Sequence, residues 1–248
     1  MPVARPRLWG MSLLKDFLRP FEPYVPALPA GLSWKQTLRV LQRLGFEPAT
    51  VFDIGVGFGT WSLYRAFPDA HYVLIDPTPE SLPYMQKIAQ RLEAEVHPVA
   101  LGDHDGQVML EVRPDVQGST LLEEVGPRRI LRHETVPMRR FDALIDTFKQ
   151  PALAKIDVQG AELMVLEGMS GSLARIDVIV VETSTIATVK GGAEMAAVVA
   201  FMHANGFVVA DIVGMKRRPL DGATAQFDLL FVPETSRLRA DRRWTAFA

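Results

Sequence analysis

Short apolar runs recur along most of this chain, each followed by a segment whose apolar positions fall at helical spacing. Val51-Phe52-Asp53-Ile54, His71-Tyr72-Val73-Leu74-Ile75, Leu153-Ala154-Lys155-Ile156 and Asp177-Val178-Ile179-Val180-Val181 are of strand length and read as buried strands. The pattern predicts strands near 50–54, 71–75, 95–99, 153–156 and 177–181. Helices are expected near 59–66, 81–92, 161–169 and 193–204. Two further strands are expected near 207–213 and 227–232. Only a connection near 214–225, holding Gly222, separates them, so the final strand should run antiparallel to its neighbour. Gly106 opens a departure from the alternation, with short strands expected at 107–112 and 134–138 and a polar loop between. The fold class that follows is α/β: a seven-stranded, mostly parallel sheet with helices on both faces and the last strand antiparallel.

The ends of the chain differ in character. Prolines at 2, 6, 20, 23, 26 and 29 forbid one regular helix over the first 32 residues. A short helix near 11–18 and an extended arm are expected there. Ser33 reads as the cap of a helix carrying Trp34, Leu38, Leu41 and Leu44, ended by Gly45. The expected organisation is an N-terminal region over 1–45 packed on the core, a main domain over 46–234 with an insert near 107–137, and a polar tail over 235–248.

The candidate chemistry begins where the first strand runs into Asp53-Ile54-Gly55-Val56-Gly57-Phe58-Gly59-Thr60. Alternating glycines after a strand and before a helix let the backbone approach a ligand, and Asp76, ending the next strand, is placed to take the hydroxyls of a ribose. The dinucleotide fingerprint wants its third glycine one residue later, where Thr60 stands. A second constellation, Lys155-Ile156-Asp157-Val158-Gln159-Gly160-Ala161-Glu162, lies at the carboxyl end of the fourth parallel strand. Ligands of open α/β sheets bind outside that edge, so Asp157 should face the same crevice as Gly55 and Gly57. Glu162 opens the following helix, where capping explains it as well as function does.

The Asp-x-Gly-x-Gly-x-Gly pattern resembles the first motif of class I S-adenosylmethionine-dependent methyltransferases. The second constellation, with Val165-Leu166-Glu167-Gly168, resembles the signature of their FkbM family. Pro98-Val99-Ala100-Leu101-Gly102-Asp103, Gly118-Ser119-Thr120-Leu121, Val136 to Asp142 and Val180-Val181-Glu182 agree in order and spacing with that family over about 50–232. The resemblance implies O-methylation of a sugar, glycolipid or other natural-product hydroxyl, with S-adenosylmethionine as cofactor. It places Asp53, Gly55, Val56, Gly57, Phe58 and Gly59 around the methionine end and Asp76 on the ribose. It puts Leu101, Gly102 and Asp103 at the adenine, and Asp157 and Glu182 beside the methyl and the acceptor. Phe58 and Trp61 depart from the smaller residues usual there.

A base near the acceptor hydroxyl assists such a transfer. Asp157 and Glu182 are the candidates, with His104 and His133 as loop alternatives. Only these two acids end strands near the acceptor, so no metal is expected, though a Mg²⁺ held by the pair stays open. The insert, with Ser119, Thr120, Arg128 and Arg129, is expected to cover the acceptor, an arginine pairing with an anionic group. Arg113 and Arg132 belong to the same insert.

Composition narrows the alternatives. The chain has 248 residues, 48% apolar, with 27 basic and 29 acidic side chains and no cysteine. Thiolate metal sites, disulfides and cysteine nucleophiles are excluded. The near-neutral balance gives no electrostatic reason to expect nucleic acid. No apolar run reaches membrane-spanning length, and no secretion signal is evident, so a cytoplasmic location is expected. An NAD-dependent oxidoreductase and a non-catalytic nucleotide-binding protein are the alternative functions. Oligomeric state, a homo-oligomer included, stays open.

Overall fold

The computed structural model describes residues 32–114, 116–126 and 129–244. The helix expected near 11–18, the proline-rich arm and Arg128 lie outside them. Over 32–240 the elements run α1 (Trp34–Arg43), β1 (Thr50–Ile54), α2 (Trp61–Ala66), β2 (His71–Ile75), α3 (Leu82–Ala89), β3 (Ala94–His97), β4 (Ala100–Leu101) and β5 (Gly106–Val112). Then come β6 (Arg132–Arg139), α4 (Phe141–Leu144), β7 (Ala152–Ile156), α5 (Glu162–Gly168), β8 (Val178–Ser184), α6 (Met195–Ala204), β9 (Phe207–Arg217) and β10 (Thr224–Pro233). Ser33 caps α1 by accepting from the Gln36 N–H, as its residue type favours.

The main sheet has seven strands in the order β3-β2-β1-β7-β8-β10-β9. β3, β2, β1, β7 and β8 pair in parallel, and β10 lies antiparallel to both β8 and β9. Side chains of a strand alternate between the two faces. Val51 of β1 therefore packs with Leu38, Leu63 and Met85 from α1, α2 and α3, while Phe52 and Ile54 pack with Val165 and Val198 from α5 and α6. Helices thus cover both faces.

Three features were not anticipated. β10 enters the sheet between β8 and β9 rather than at its edge. The last hairpin is longer than its apolar runs, because β9 and β10 continue as polar strands to Arg217 and from Thr224. Residues 100–101 leave β3 to form β4, which joins β6 and β5 in a second sheet ordered β4-β6-β5 with its own core of Ala100, Leu110, Val112, Val136 and Met138. Among the described residues, no helix is long and apolar enough to cross a membrane.

Candidate active site

The same alternation that builds the core gathers the charges. Asp53 and Lys155 are register partners on β1 and β7, and Glu182 and Asp228 are partners on β8 and β10. Asp157 follows Lys155 by two residues and Glu182 follows Val180 by two, so each continues the face that carries α1, α2 and α3. The result is a cleft of about 580 Å³ outside the carboxyl ends of β1, β2, β7 and β8. That volume lies within the roughly 300–1,000 Å³ usual for small-molecule sites.

The glycine loop forms one wall. Gly55, at φ +77°, passes so close to β7 that a Cβ there would lie 1.8 Å from the Asp157 carbonyl oxygen. Gly57, at φ +52°, turns its N–H to Asp76 Oδ2 at 2.8 Å, and Asp76 Oδ1 accepts from the Thr78 N–H at 2.8 Å. Beyond Gly57 the nearest atoms are the side chain of Gln117, whose Cγ would lie 3.0 Å from an added Cβ. Burial pushes the Asp76 carboxyl upward, against its two backbone donors. Val56 and Gly59 complete this wall.

Asp53 is placed otherwise than the resemblance implied. It shares the face of Lys155 and Asp157 but sits within β1, fully buried beneath the loop and outside the cleft lining. It accepts from the Tyr64 hydroxyl and from Thr60 Oγ1, and pairs with Lys155 Nζ at 3.4 Å. Lys155 also donates to the Gly55 carbonyl and lies 3.7 Å from Asp157 Oδ2, so one ammonium ties the loop to β7. Burial alone would lower this lysine, but Asp53 and Asp157 outweigh it and hold it charged. Phe58 packs on Tyr84 at 4.9 Å and does not line the cleft.

Across the cleft the two strand-end carboxylates share one donor. Gln159 Nε2 lies 2.7 Å from Asp157 Oδ1 and 2.9 Å from Glu182 Oε2. Gln226 Nε2 adds a bond to Glu182 Oε2 at 3.0 Å, and Lys216 Nζ meets Oε1 at 2.5 Å. The Glu182 side chain is 2% exposed and the Asp157 side chain 32% exposed. Burial, then the charge of Asp157, push Glu182 up to about 8 against the pull of Lys216. Trp34 Nε1 donates to Asp228 Oδ2 at 3.2 Å, which brings α1 to the cleft. Glu162 stays out of the cleft and closes the β7–α5 turn, accepting from the N–H groups of Val158 and Gly160.

The insert supplies the opposite wall through Gln117, Gly118, Ser119, Thr120 and Leu121. Thr120 Oγ1 donates to the Gln159 carbonyl at 2.8 Å, and Ser119 Oγ accepts from the Arg113 N–H. The described arginines of the insert do not line the cleft. Arg113 is buried in an ion pair with Glu124 at 3.0 Å, Arg132 pairs with Glu80 and Glu134, and Arg129 is exposed and away from the cleft. Leu101 lines the cleft, whereas Gly102 is a packing glycine against Met138 and Asp103 pairs with His104 on the surface. His104 and His133 do not line the cleft. Among the described residues, no group of three or more His, Cys, Asp or Glu side chains is set to hold a metal ion.

Lys155, Gln159, Lys216, Asp228 and Trp34 were not singled out by sequence. For Lys155 the signal was present: a lysine inside an apolar strand, two residues before Asp157. Lys216 and Asp228 depend on the register of the last hairpin, which shifts next to Asp228.

Solved structures of similar fold include the magnesium protoporphyrin IX methyltransferase of Synechocystis with S-adenosylmethionine bound, at 12% identity, TM-score 0.44, covering 90% of this chain and 91% of that one. The N-methyltransferase NodS of Bradyrhizobium japonicum, in complex with S-adenosylhomocysteine, matches at 10% identity, TM-score 0.44, covering 88% and 97%. A curated relative, the hexuronic acid methyltransferase AglP of Haloferax volcanii, is 22% identical over 159 residues, which span 60% of this chain and 61% of that protein. The Methyltransferase FkbM domain model matches residues 53–209, more than half of the sequence, and the chain belongs to the FkbM methyltransferase family.

Proposed function

We propose that this methyltransferase uses S-adenosylmethionine to methylate a hydroxyl of a sugar, glycolipid or other natural-product acceptor. One observation carries the reading: a single cleft is lined by the glycine loop, the anchored Asp76 and Asp157, whose side chain is 32% exposed. The residues present fit the cofactor. The glycine loop brings bare backbone to the cleft wall, Asp76 lines the cleft where a ribose diol would lie, and Ala100 and Leu101 offer an apolar wall to a base. When bound, the cofactor supplies a methyl group activated by its sulfonium.

The chain's own side chains divide the remaining work. Asp157 takes the acceptor's proton, because it is open to the cleft and keeps lone pairs beyond its bond from Gln159. Glu182, nearly unexposed and engaged by three donors, positions Gln159 and Lys216 instead of touching the acceptor. Trp34, Asp228 and Lys216 give the acceptor end an aromatic face beside polar groups, a combination suited to a hydroxyl-rich ring. The relative that methylates hexuronic acid supports a sugar acceptor.

The test is transfer of label from methyl-labelled S-adenosylmethionine to a panel of neutral and uronic-acid glycans and glycolipids. Transfer to a hydroxyl is expected. Asp157→Asn should lower kcat by about 10²–10⁴-fold, the usual yield of general base catalysis, with affinity for S-adenosylhomocysteine nearly unchanged. Wild-type turnover in that variant would remove Asp157 from the base role.

A further inference from the structure

We infer that the amide nitrogen of Gln159 and the ammonium of Lys216 stand where a divalent cation would bridge Asp157 and Glu182, so that this enzyme works without a metal and Gln159 is a positioning residue. The inference rests on the proposed methyl transfer in this cleft. Two carboxylates that converge on one site repel each other unless positive charge or hydrogen-bond donors lie between them. A metal ion is one solution, and oxygen ligands are what Mg²⁺ requires. Here the space between the carboxylates holds nitrogen: Gln159 Nε2 at 2.7 and 2.9 Å from the two acids. The far oxygen of Glu182 is taken by Lys216 Nζ at 2.5 Å.

The orientation of the amide follows from its neighbours. An amide oxygen turned inward would meet the Asp157 carboxylate oxygen, which has no donor to offer, so the nitrogen faces in. An inward nitrogen carries protons and repels a cation. The backbone is built for this. Gln159 has φ +57° and is the one non-glycine residue in the left-handed region among those described. Its carbonyl accepts from Thr120, and the next N–H, of Gly160, is held by Glu162. Fixed on both sides, the residue returns its long side chain between the acids.

The test uses Mn²⁺ as the probe, followed by electron paramagnetic resonance with and without S-adenosylhomocysteine. Affinity for S-adenosylhomocysteine is measured separately by calorimetry. Wild-type protein should bind no Mn²⁺ in the cleft. Gln159→Glu places a third carboxylate on the same spot and should bind Mn²⁺ at least about tenfold more tightly than wild type. Thermal unfolding checks that the variant is folded, and Gln159→Asp, shorter and better suited to a left-handed backbone, serves if it is not. Wild-type Mn²⁺ binding that disappears in Asp157→Asn would overturn the inference. So would folded acidic variants that gain no affinity. Failure to bind S-adenosylhomocysteine would count against the cofactor reading alone, since the Mn²⁺ result is obtained without it.

Discussion

Glu182 is a cleft residue whose burial as a carboxylate is costly to the fold. Its pKa is pushed up to about 8, first by burial and then by Asp157. An unfolded glutamate titrates near 4.3, about where the folded group still holds its proton. The folded state therefore binds that proton more tightly, and the stability linked to it is complete at low pH and lost as pH rises toward 8. Glu182→Gln has no such titration. Its Tm relative to wild type should rise between pH 5 and pH 8.5. One pKa unit is about 1.4 kcal/mol and 1 kcal/mol moves Tm by roughly 2–4 °C at this size, so a change of several degrees is expected. Glu162, pushed up to about 7 by burial, titrates in both proteins and cancels. A Tm difference independent of pH would contradict the assignment. Asp157 and Glu182 were legible because an acid ending an apolar strand needs solvent or a partner. Asp53 lies one layer deeper than its motif suggested, under the loop against Tyr64 and Lys155, because it sits within β1 rather than at its end.

Elements meet in this fold through specific close approaches, and these set the cost of change. Gly206 and Gly55 both have positive φ, but nothing lies within 4 Å of a Cβ at 206, whereas a Cβ at 55 would strike the β7 backbone. Gly206→Ala should cost roughly 1–2 kcal/mol, the penalty of a left-handed residue. Gly55→Ala should cost clearly more in urea unfolding and also weaken cofactor binding, because β1 must move from β7. Equal costs would mean that the loop is not pinned there. In the insert, Arg113 depends on Glu124 within a nearly unexposed ion pair. Glu124→Leu leaves that guanidinium buried without the carboxylate and should destabilise the protein by about 3–5 kcal/mol. A loss under 1 kcal/mol would show that the insert does not rely on the pair. None of this was visible in the sequence, where insert arginines read as solvated or ligand-facing. The second sheet is mainly the β5–β6 hairpin, and β4 joins it through Ala100 and Leu101 alone.

For the molecule as a whole, the parallel half of the sheet was legible to within a few residues, because apolar runs of strand length alternate with helical spacing. The antiparallel half was legible in direction but not in order. A hairpin sequence is the same whether its second strand ends the sheet or enters it, and only the β8–β10 pairing decides. That choice brings Asp228 and Lys216 to the cleft. The central claim is that this cleft holds S-adenosylmethionine through the glycine loop and Asp76. Calorimetry with S-adenosylhomocysteine on wild type and Asp76→Ala, with NAD as the competing ligand, tests it most directly. The account predicts binding of S-adenosylhomocysteine, no binding of NAD, and a loss of roughly 1.5–3 kcal/mol in Asp76→Ala, the range for a hydrogen bond to a charged group. Equal affinity in the two proteins, or binding of NAD in place of S-adenosylhomocysteine, would contradict it.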